Sequence, residues 1–273
     1  MKVERVGIAG FGELASGIAH LVASAGYATA VWDIDEKSLD SGQSVFKASI
    51  DEAFASGTLT KEKKNEILTK ITFGTELATL KDSDLVIESV SEDIELKKNT
   101  FSDLSHIVAE KALLATTTSC YSVTTISQSA KSPERVLGLH FFEPAQATKL
   151  VEVIKTERSS QETISLALDF CAKIGKETVV SKDAPGFIVN YLFVPYMNQA
   201  LEAYDHGLAS EEDLDMALRM GLGYPKGPLE LINIIGPEKY LHLTSILYER
   251  LLDPRFAPPA VLKRMVDAEG PRK

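Results

Sequence analysis

The feature that most constrains this chain is its opening. An apolar burst, Val6–Ala9, runs through Gly10-Phe11-Gly12 into an amphipathic stretch, Leu14–Ala25, and then a second burst, Ala28–Trp32. Bursts of four to six apolar residues read as buried strands, whereas the longer stretch has helical periodicity. Strand, turn, helix and strand make one βαβ unit, and such a crossover makes its two strands parallel. The alternation continues with a helix over Glu36–Ala55, another opening at Thr60-Lys61-Glu62-Lys63, and helices near Ile94–Ala109 and Gln161–Ile174. Between them lie strand-like bursts at Ile71–Phe73, Leu85–Ile87, Ala112–Ala115, Val136–His140, Leu150–Ile154 and Thr178–Val180. This places the chain in the α/β class, with a mostly parallel sheet covered on both faces.

After Lys182-Asp183-Ala184-Pro185-Gly186 the pattern becomes helical only, as far as Arg250. The expected organisation is an α/β domain over residues 1–183 and an all-α C-terminal domain over 184–273, which suits a length of 273 residues. The Pro-rich stretch from Asp253 is expected to be irregular except around Val261–Val266. With 29 Lys+Arg against 39 Asp+Glu, the net charge of −10 argues against nucleic acid or anionic lipid as a partner. The uncharged stretches Leu14–Trp32, Ala112–Ala130 and Ala184–Leu201 carry too many polar residues and prolines to insert into lipid, so a soluble protein is expected. Cys120 and Cys171 stand apart, with no metal-ligand spacing around them. With the charged start Met1–Arg5, which is no signal peptide, they point to a reducing, cytoplasmic setting.

Gly10-Phe11-Gly12-Glu13-Leu14-Ala15 has the spacing and context of a dinucleotide fingerprint, with a strand before, a helix after, and Asp33 closing the second strand. The first glycine permits a tight turn, and the second lets the backbone approach a pyrophosphate. N–H groups at the helix start, around Gly12, Glu13 and Leu14, then face the phosphates. Small residues at Ala15 and Gly17 are expected to bring this helix close to the sheet. Asp33 would accept hydrogen bonds from the adenine ribose and repel a 2′-phosphate. Ala15 and Lys37 point the other way, but NAD is favoured over NADP.

His140 closes an apolar strand at the edge where parallel sheets place their ligands. Glu152 lies inside the β-branched run Leu150–Ile154, and a buried carboxylate needs a partner. A His–Glu pair would fix the imidazole tautomer and suit it to take a proton from an alcohol. Spacing alone leaves a satisfied core histidine and an edge-strand glutamate equally open.

Six ordered elements decide between them: Gly10–Ala19, Asp84-Leu85-Val86-Ile87-Glu88, Leu139-His140-Phe141-Phe142-x-Pro144, Lys149–Val153, Lys182-Asp183-x-Pro185-Gly186-Phe187-Ile188-Val189-Asn190 and Gly227-Pro228-x-Glu230-Leu231. In them the chain resembles the L-3-hydroxyacyl-CoA dehydrogenase family, 3-hydroxybutyryl-CoA dehydrogenases included, over nearly its whole length. The resemblance implies a Rossmann-type NAD-binding domain and a helical substrate and dimerisation domain, hence a homodimer. It also implies oxidation of the hydroxyl of a 3-hydroxyacyl thioester to the 3-oxo form with NAD, within fatty acid metabolism. By resemblance His140 is the base and Glu152 its support. Ser119 and Asn190 hold the substrate oxygen, Ser119 also meets the cofactor, Glu92 and Lys97 contact its nicotinamide half, and Ser49 lies near the CoA moiety.

The chain departs from the family around the substrate. Thr117 replaces an asparagine, Cys120 a serine, Glu143 an asparagine before Pro144, Tyr191 an arginine, Lys226 a methionine and Asn233 an aspartate, while Ala145-Gln146-Ala147-Thr148 is smaller and more polar than usual. Surface drift explains each singly; together they point to a short or polar acyl group. Two alternatives keep their place: a hydroxyacyl group on a carrier protein, as in polyketide extender-unit biosynthesis, and an inactive crystallin-like or NAD-sensing protein. Lys61, Lys63 and Lys64 are expected to form a solvated face rather than a CoA site, Cys171 to be core, and Cys120 to lack a base of its own. The family's Gly-Phe-Tyr-ending tail is missing from Glu269-Gly270-Pro271-Arg272-Lys273, so a trimmed or divergent end is expected there.

Overall fold

The computed structural model describes residues 2–269, and the expectation about the tail after Glu269 lies outside them. The chain divides into two compact units between Asp183 and Ala184.

The first unit is an eight-stranded sheet with helices. In chain order its elements are β1 (Arg5–Ala9), α1 (Glu13–Ser24), β2 (Ala28–Trp32), α2 (Glu36–Ala55), α3 (Lys61–Lys70), β3 (Ile71–Gly74), β4 (Leu85–Glu88), α4 (Ile94–Ile107), β5 (Leu113–Thr116), α5 (Val123–Ser127), β6 (Val136–Phe141), β7 (Leu150–Lys155), α6 (Gln161–Lys173) and β8 (Glu177–Lys182). Strand order is β3-β2-β1-β4-β5-β6-β7-β8. The first six are parallel, β7 pairs with β6 antiparallel, and β8 follows β7 in parallel. β4, β5 and β6 are buried throughout, which is why they read as unbroken apolar bursts rather than alternating ones.

Helix starts follow their sequence signals. Asp35, Thr60, Asp93, Ser122 and Ser160 each accept a backbone N–H from the first turn of α2 to α6. Asp183 also receives Ser122 Oγ and the N–H groups of Val123 and Thr124, tying β8 to α5. The five-residue α5 is absent from the sequence reading because it is too short to show a period. By contrast α1 starts on Gly12, with no side-chain cap.

The second unit holds α7 (Val189–Asp205), α8 (Glu211–Leu222), α9 (Pro228–Ile235), α10 (Pro237–Leu251) and α11 (Ala260–Glu269). Its buried polar hub is Asn198, whose amide donates to Thr244 Oγ1 (3.1 Å) and the Arg255 carbonyl (3.1 Å) and accepts from Tyr240 Oη (2.8 Å). Asp215 of α8 caps α9 by accepting the N–H groups of Leu229 and Glu230, both at 2.9 Å. A Cβ on Gly227 would lie 2.2 Å from that carboxyl, so the Gly-Pro start of α9 serves this cap. The exception expected around Val261–Val266 is α11, which buries Val261 and Leu262 and exposes Lys263 and Arg264. Its amphipathic pattern contains no proline: Pro254, Pro258 and Pro259 come before it in the sequence and Pro271 after it.

Candidate active site

The sheet order reverses at β1, with β2 and β3 on one side and β4 to β8 on the other. At such a switch point the loops after neighbouring parallel strands diverge and leave a crevice at their carboxyl ends. Gly10 occupies the turn after β1 with φ +89, and an added Cβ would lie 2.7 Å from the Ser89 carbonyl oxygen. Only glycine fits there. Around Gly12 nothing lies within 4 Å of a Cβ position, so the α1 start stays open on that side. First-turn N–H groups of a helix lack intrahelical acceptors and favour anions. This is the shape a pyrophosphate needs, and Gly10, Gly12, Glu13 and Leu14 all lie on it. Asp33 ends β2 beside the turn, its Oδ2 accepting the Phe11 N–H (2.7 Å) and its Oδ1 the Ile34 N–H (2.7 Å). Its carboxylate is thereby oriented with lone pairs left for ribose hydroxyls. Gly17 differs from expectation: a Cβ there would meet Ala145 and Gln146, so the missing side chain makes room for the loop after β6 rather than for the sheet.

The next strand ends carry a connected polar cluster. Glu88 closes β4 fully buried, accepting from Lys97 Nζ (2.9 Å), Thr116 Oγ1 (2.7 Å) and the Val90 N–H (2.8 Å). Lys97 of α4 is 1% exposed and also meets Glu92 Oε2 (3.1 Å) and the Val90 carbonyl (3.2 Å). Glu92 Oε1 accepts from Thr118 Oγ1 (2.5 Å), the Ser119 N–H (2.9 Å) and Cys120 Sγ (3.2 Å). Burial pushes Glu88 upward against the pull of Lys97 and Thr116. For Glu92 burial acts in the same sense, but Lys97 and its three donors outweigh it and hold the carboxyl below the usual value. Burial disfavours the Lys97 ammonium, yet Glu88 and Glu92 together keep it above the ordinary lysine range.

His140 lies on β6 directly across from Glu152 on β7 in the antiparallel register. Its Nδ1 is 2.6 Å from Glu152 Oε2, and both side chains are buried. With the carboxylate as acceptor, Nδ1 donates and Nε2 carries the lone pair. The Phe142 ring packs 4.5 Å from the imidazole. β7 is not an edge strand, since β8 covers it, which removes the edge-glutamate alternative. The loop that follows His140 contains a cis Glu143–Pro144 bond and is held by Lys176, whose ammonium donates to the carbonyls of Ala145 (2.5 Å) and Thr148 (2.6 Å).

The crevice therefore gathers Gly10, Gly12, Asp33, Glu92, Lys97, Ser119, His140 and Glu152 around the carboxyl ends of β1, β2, β4, β5 and β6 and the facing start of β7. Ser49 lies apart on α2, its Oγ 2.8 Å from His20 Nδ1 and 3.1 Å from the Phe46 carbonyl. Burial lowers the His20 imidazole below its ordinary range. Asn190 stands in the first turn of α7, in the second unit. Cys120 does have a carboxylate beside it, contrary to expectation, because the loop after β5 folds back over Glu92. Cys171 is core, with burial pushing its thiol up to about 12. Lys63 and Lys64 are engaged by Glu66 and Asp51, and Lys226 by Glu230. Glu88, Thr116, Thr118 and Lys176 went unassigned in the sequence. A signal existed for Glu88, a carboxylate ending an otherwise apolar burst, by the reasoning already applied to Glu152.

The family model for the NAD-binding domain of 3-hydroxyacyl-CoA dehydrogenase matches residues 5–184, and that for the C-terminal domain of the same enzymes matches residues 186–273. A 3-hydroxybutyryl-CoA dehydrogenase of Mycobacterium tuberculosis is 35% identical over 97% of this chain and 94% of its own length. A 3-hydroxyadipyl-CoA dehydrogenase of Escherichia coli is also 35% identical over 97% of this chain, which spans 56% of that longer protein. Among solved structures, FadB2 of M. tuberculosis superposes with a TM-score of 0.96 at 35% identity, covering 98% of this chain and 95% of its own. The (S)-3-hydroxybutyryl-CoA dehydrogenase PaaH1 of Ralstonia eutropha does so with a TM-score of 0.92 at 31% identity, with coverage of 98% and 95%. The chain belongs to the 3-hydroxyacyl-CoA dehydrogenase family, oxidoreductases whose first domain binds NAD.

Proposed function

We propose that the chain oxidises a short or polar 3-hydroxyacyl-CoA to its 3-oxo form, with His140 as the base. The observation that carries this reading is the buried His140–Glu152 pair at 2.6 Å, at the crevice that also bears the glycine turn. Gly10, Gly12, Glu13 and Leu14 cradle the pyrophosphate and Asp33 takes the adenine ribose. When bound, NAD supplies the hydride acceptor at its nicotinamide. His140 Nε2 takes the hydroxyl proton, and Glu152 stabilises the imidazolium so formed. Ser119 and Asn190 orient the substrate oxygen, and Ser49 lies toward the CoA.

Three observations support a short or polar acyl group. Glu143 and Gln146 are exposed on the loop held by Lys176, directly after the strand that carries His140. Thr117 and Cys120 keep the Ser119 loop small, with a hydroxyl at Thr117 where the family has an amide. Relatives named for four-carbon and for carboxylate-bearing acyl groups stand at the same identity. The homodimer, which the resemblance implies, is supported by Leu192, Met220 and Ile234, large apolar side chains exposed on the second unit. Among the described residues no helix is long and apolar enough to cross a membrane.

Initial rates on 3-hydroxyacyl-CoAs of increasing length, a dicarboxylic analogue and the same acyl groups on a carrier protein test the reading. Fastest turnover of a four-carbon or carboxylate-bearing CoA thioester is expected. Preference for twelve carbons or more would reject the short-chain assignment, and faster turnover on the carrier protein would move the activity to that substrate.

A further inference from the structure

The segment that carries Ser119 leaves the sheet at Thr116 and enters α5 at Val123. Within it Thr118 Oγ1 accepts the Tyr121 N–H at 3.0 Å, closing a tight turn around Ser119 and Cys120. Ser122 follows directly, so the place of Ser122 sets that of the turn. Asp183, the last residue of the first unit, holds that place. Its Oδ2 accepts Ser122 Oγ and the Thr124 N–H, both at 2.7 Å, and its Oδ1 accepts the Val123 N–H at 3.1 Å. Ser122 Oγ accepts the Thr125 N–H in turn, at 3.1 Å. Three successive N–H groups of α5 are therefore satisfied by one carboxylate and the hydroxyl bound to it. A helix of five residues does not hold itself. α5 depends on this anchor and on Val123, which is fully buried and seated over Gly138, where a Cβ would lie 3.0 Å from its Cγ2. Gly138 precedes His140 by two residues on β6. Asp183 is itself fixed to the sheet, because its N–H donates at 3.2 Å to the carbonyl of Lys155, the last residue of β7.

We infer that Asp183 is a positioning residue of the reaction: it places the start of α5, and through it the Ser119 hydroxyl relative to His140. The inference rests on the assignment of Ser119 to the substrate oxygen and of His140 as the base. A cap that only stabilised α5 would act independently of Ser119, so its loss and the loss of the Ser119 hydroxyl would multiply. A cap that places Ser119 has nothing left to misplace once that hydroxyl is gone, and the two losses then overlap.

The test uses the full chain. Its readouts are kcat and KM on 3-hydroxybutyryl-CoA, counted per NAD-binding site by calorimetry, and the alkylation rate of Cys120 by iodoacetamide. Asp183→Asn keeps the size of the side chain but turns an NH2 group toward at least one of the three donors. It should lower kcat by about tenfold to 100-fold, the order lost when a reacting group shifts by about 1 Å, with KM within about threefold of the parent. Ser119→Ala alone should lower kcat by at least as much, and in that background Asp183→Asn should cost less than about threefold more. Cys120, in the same turn and buried, should be alkylated about fivefold faster in Asp183→Asn, the size of a lost helix cap, while Cys171 stays unreactive. Losses that multiply in the double variant would overturn the inference. So would a Cys120 rate equal to the parent's, or one that rises only together with that of Cys171. Turnover indifferent to Ser119→Ala alone would strike the assignment of Ser119 in the functional reading, and the inference with it, whereas multiplying losses leave that assignment standing. Should Asp183→Asn not fold, Ser122→Ala decides, since it withdraws the hydroxyl and leaves the carboxylate on two N–H groups. It should cost about fivefold in kcat alone and less than about twofold beside Ser119→Ala, and multiplication there would again overturn the inference.

Discussion

Replacing Glu152 with Gln isolates the charge in the proposed catalytic pair while keeping its shape. Glu152 is fully buried and its Oε2 lies 2.6 Å from His140 Nδ1, so little room exists for rearrangement. In the proposed reaction His140 takes up the substrate proton, and an imidazolium and a carboxylate then stand side by side. At an effective dielectric of about 20 and charge centres about 4 Å apart, their attraction is about 4 kcal/mol. A transition state in which the proton is half transferred uses about half of it. The expected loss is therefore about 2–4 kcal/mol of barrier, or roughly 30- to 1000-fold in kcat. The amide could also present its NH2 to Nδ1, favouring the tautomer with a proton already on Nε2, which adds to the loss. The assay is steady-state oxidation followed at the nicotinamide absorbance, with NAD affinity measured alongside. Glu152 reaches neither the glycine turn nor Asp33, so NAD affinity should change by less than about twofold. A kcat within about threefold of the parent would refute the pairing argument. So would a loss carried entirely by weaker NAD binding.

Three further perturbations follow from the geometry. Gly10→Ala places a Cβ 2.7 Å from the Ser89 carbonyl at φ +89, so NAD should no longer raise the melting temperature as it does for the parent; a full NAD-dependent shift would contradict the role of the turn. Cys171, buried and pushed up from 9.0 to about 12, ionises more easily unfolded than folded, so the native state should lose about 1.4 kcal/mol per pH unit between those values. Cys171→Ala should flatten that alkaline loss in urea titrations while leaving the pH 6–8 plateau sloped as before. Leu252 ends α10 in the left-handed region at φ 52 and is exposed, so Leu252→Gly should stabilise by about 1 kcal/mol and raise Tm by about 2–4 °C.

How far the sequence could be read depended on whether a contact is local. The βαβ start, the helix opening at Thr60 and the glycine turn are all written within a few residues, and their elements follow those signals. Lys97 was visible as a residue but not as a buried one, because an amphipathic helix with Lys97 and Lys98 side by side reads as a charged face. Its partners Glu88, Val90 and Glu92, on β4 and the loop after it, turn it inward. Lys176 and Cys120 repeat the point, since their partners lie 31 and 28 residues away. Spacing says nothing about such pairings, whereas a carboxylate embedded in an apolar burst, as with Glu152, announces that some partner must exist.

The reversal of β7 explains why His140 and Glu152 can be paired with only eleven residues between them. Parallel neighbours need a crossover of a dozen or more residues, usually with a helix, so residues this close in sequence cannot face each other across a parallel pair. In the antiparallel pair the loop after Phe141 returns directly, and the register sets His140 opposite Glu152, Leu139 opposite Val153 and Phe141 opposite Val151. The His140 and Glu152 side chains then leave the same face, because directly opposed residues share one. A slip of one residue would send Glu152 to the other face and leave a carboxylate buried without its imidazole. The loop between the strands is therefore part of what sets the His140–Glu152 geometry: its length fixes the register, and Lys176 fastens it at Ala145 and Thr148. Variation along 143–148 that preserves length and those two carbonyls can alter the acyl group accepted while leaving the proton-transfer pair in place.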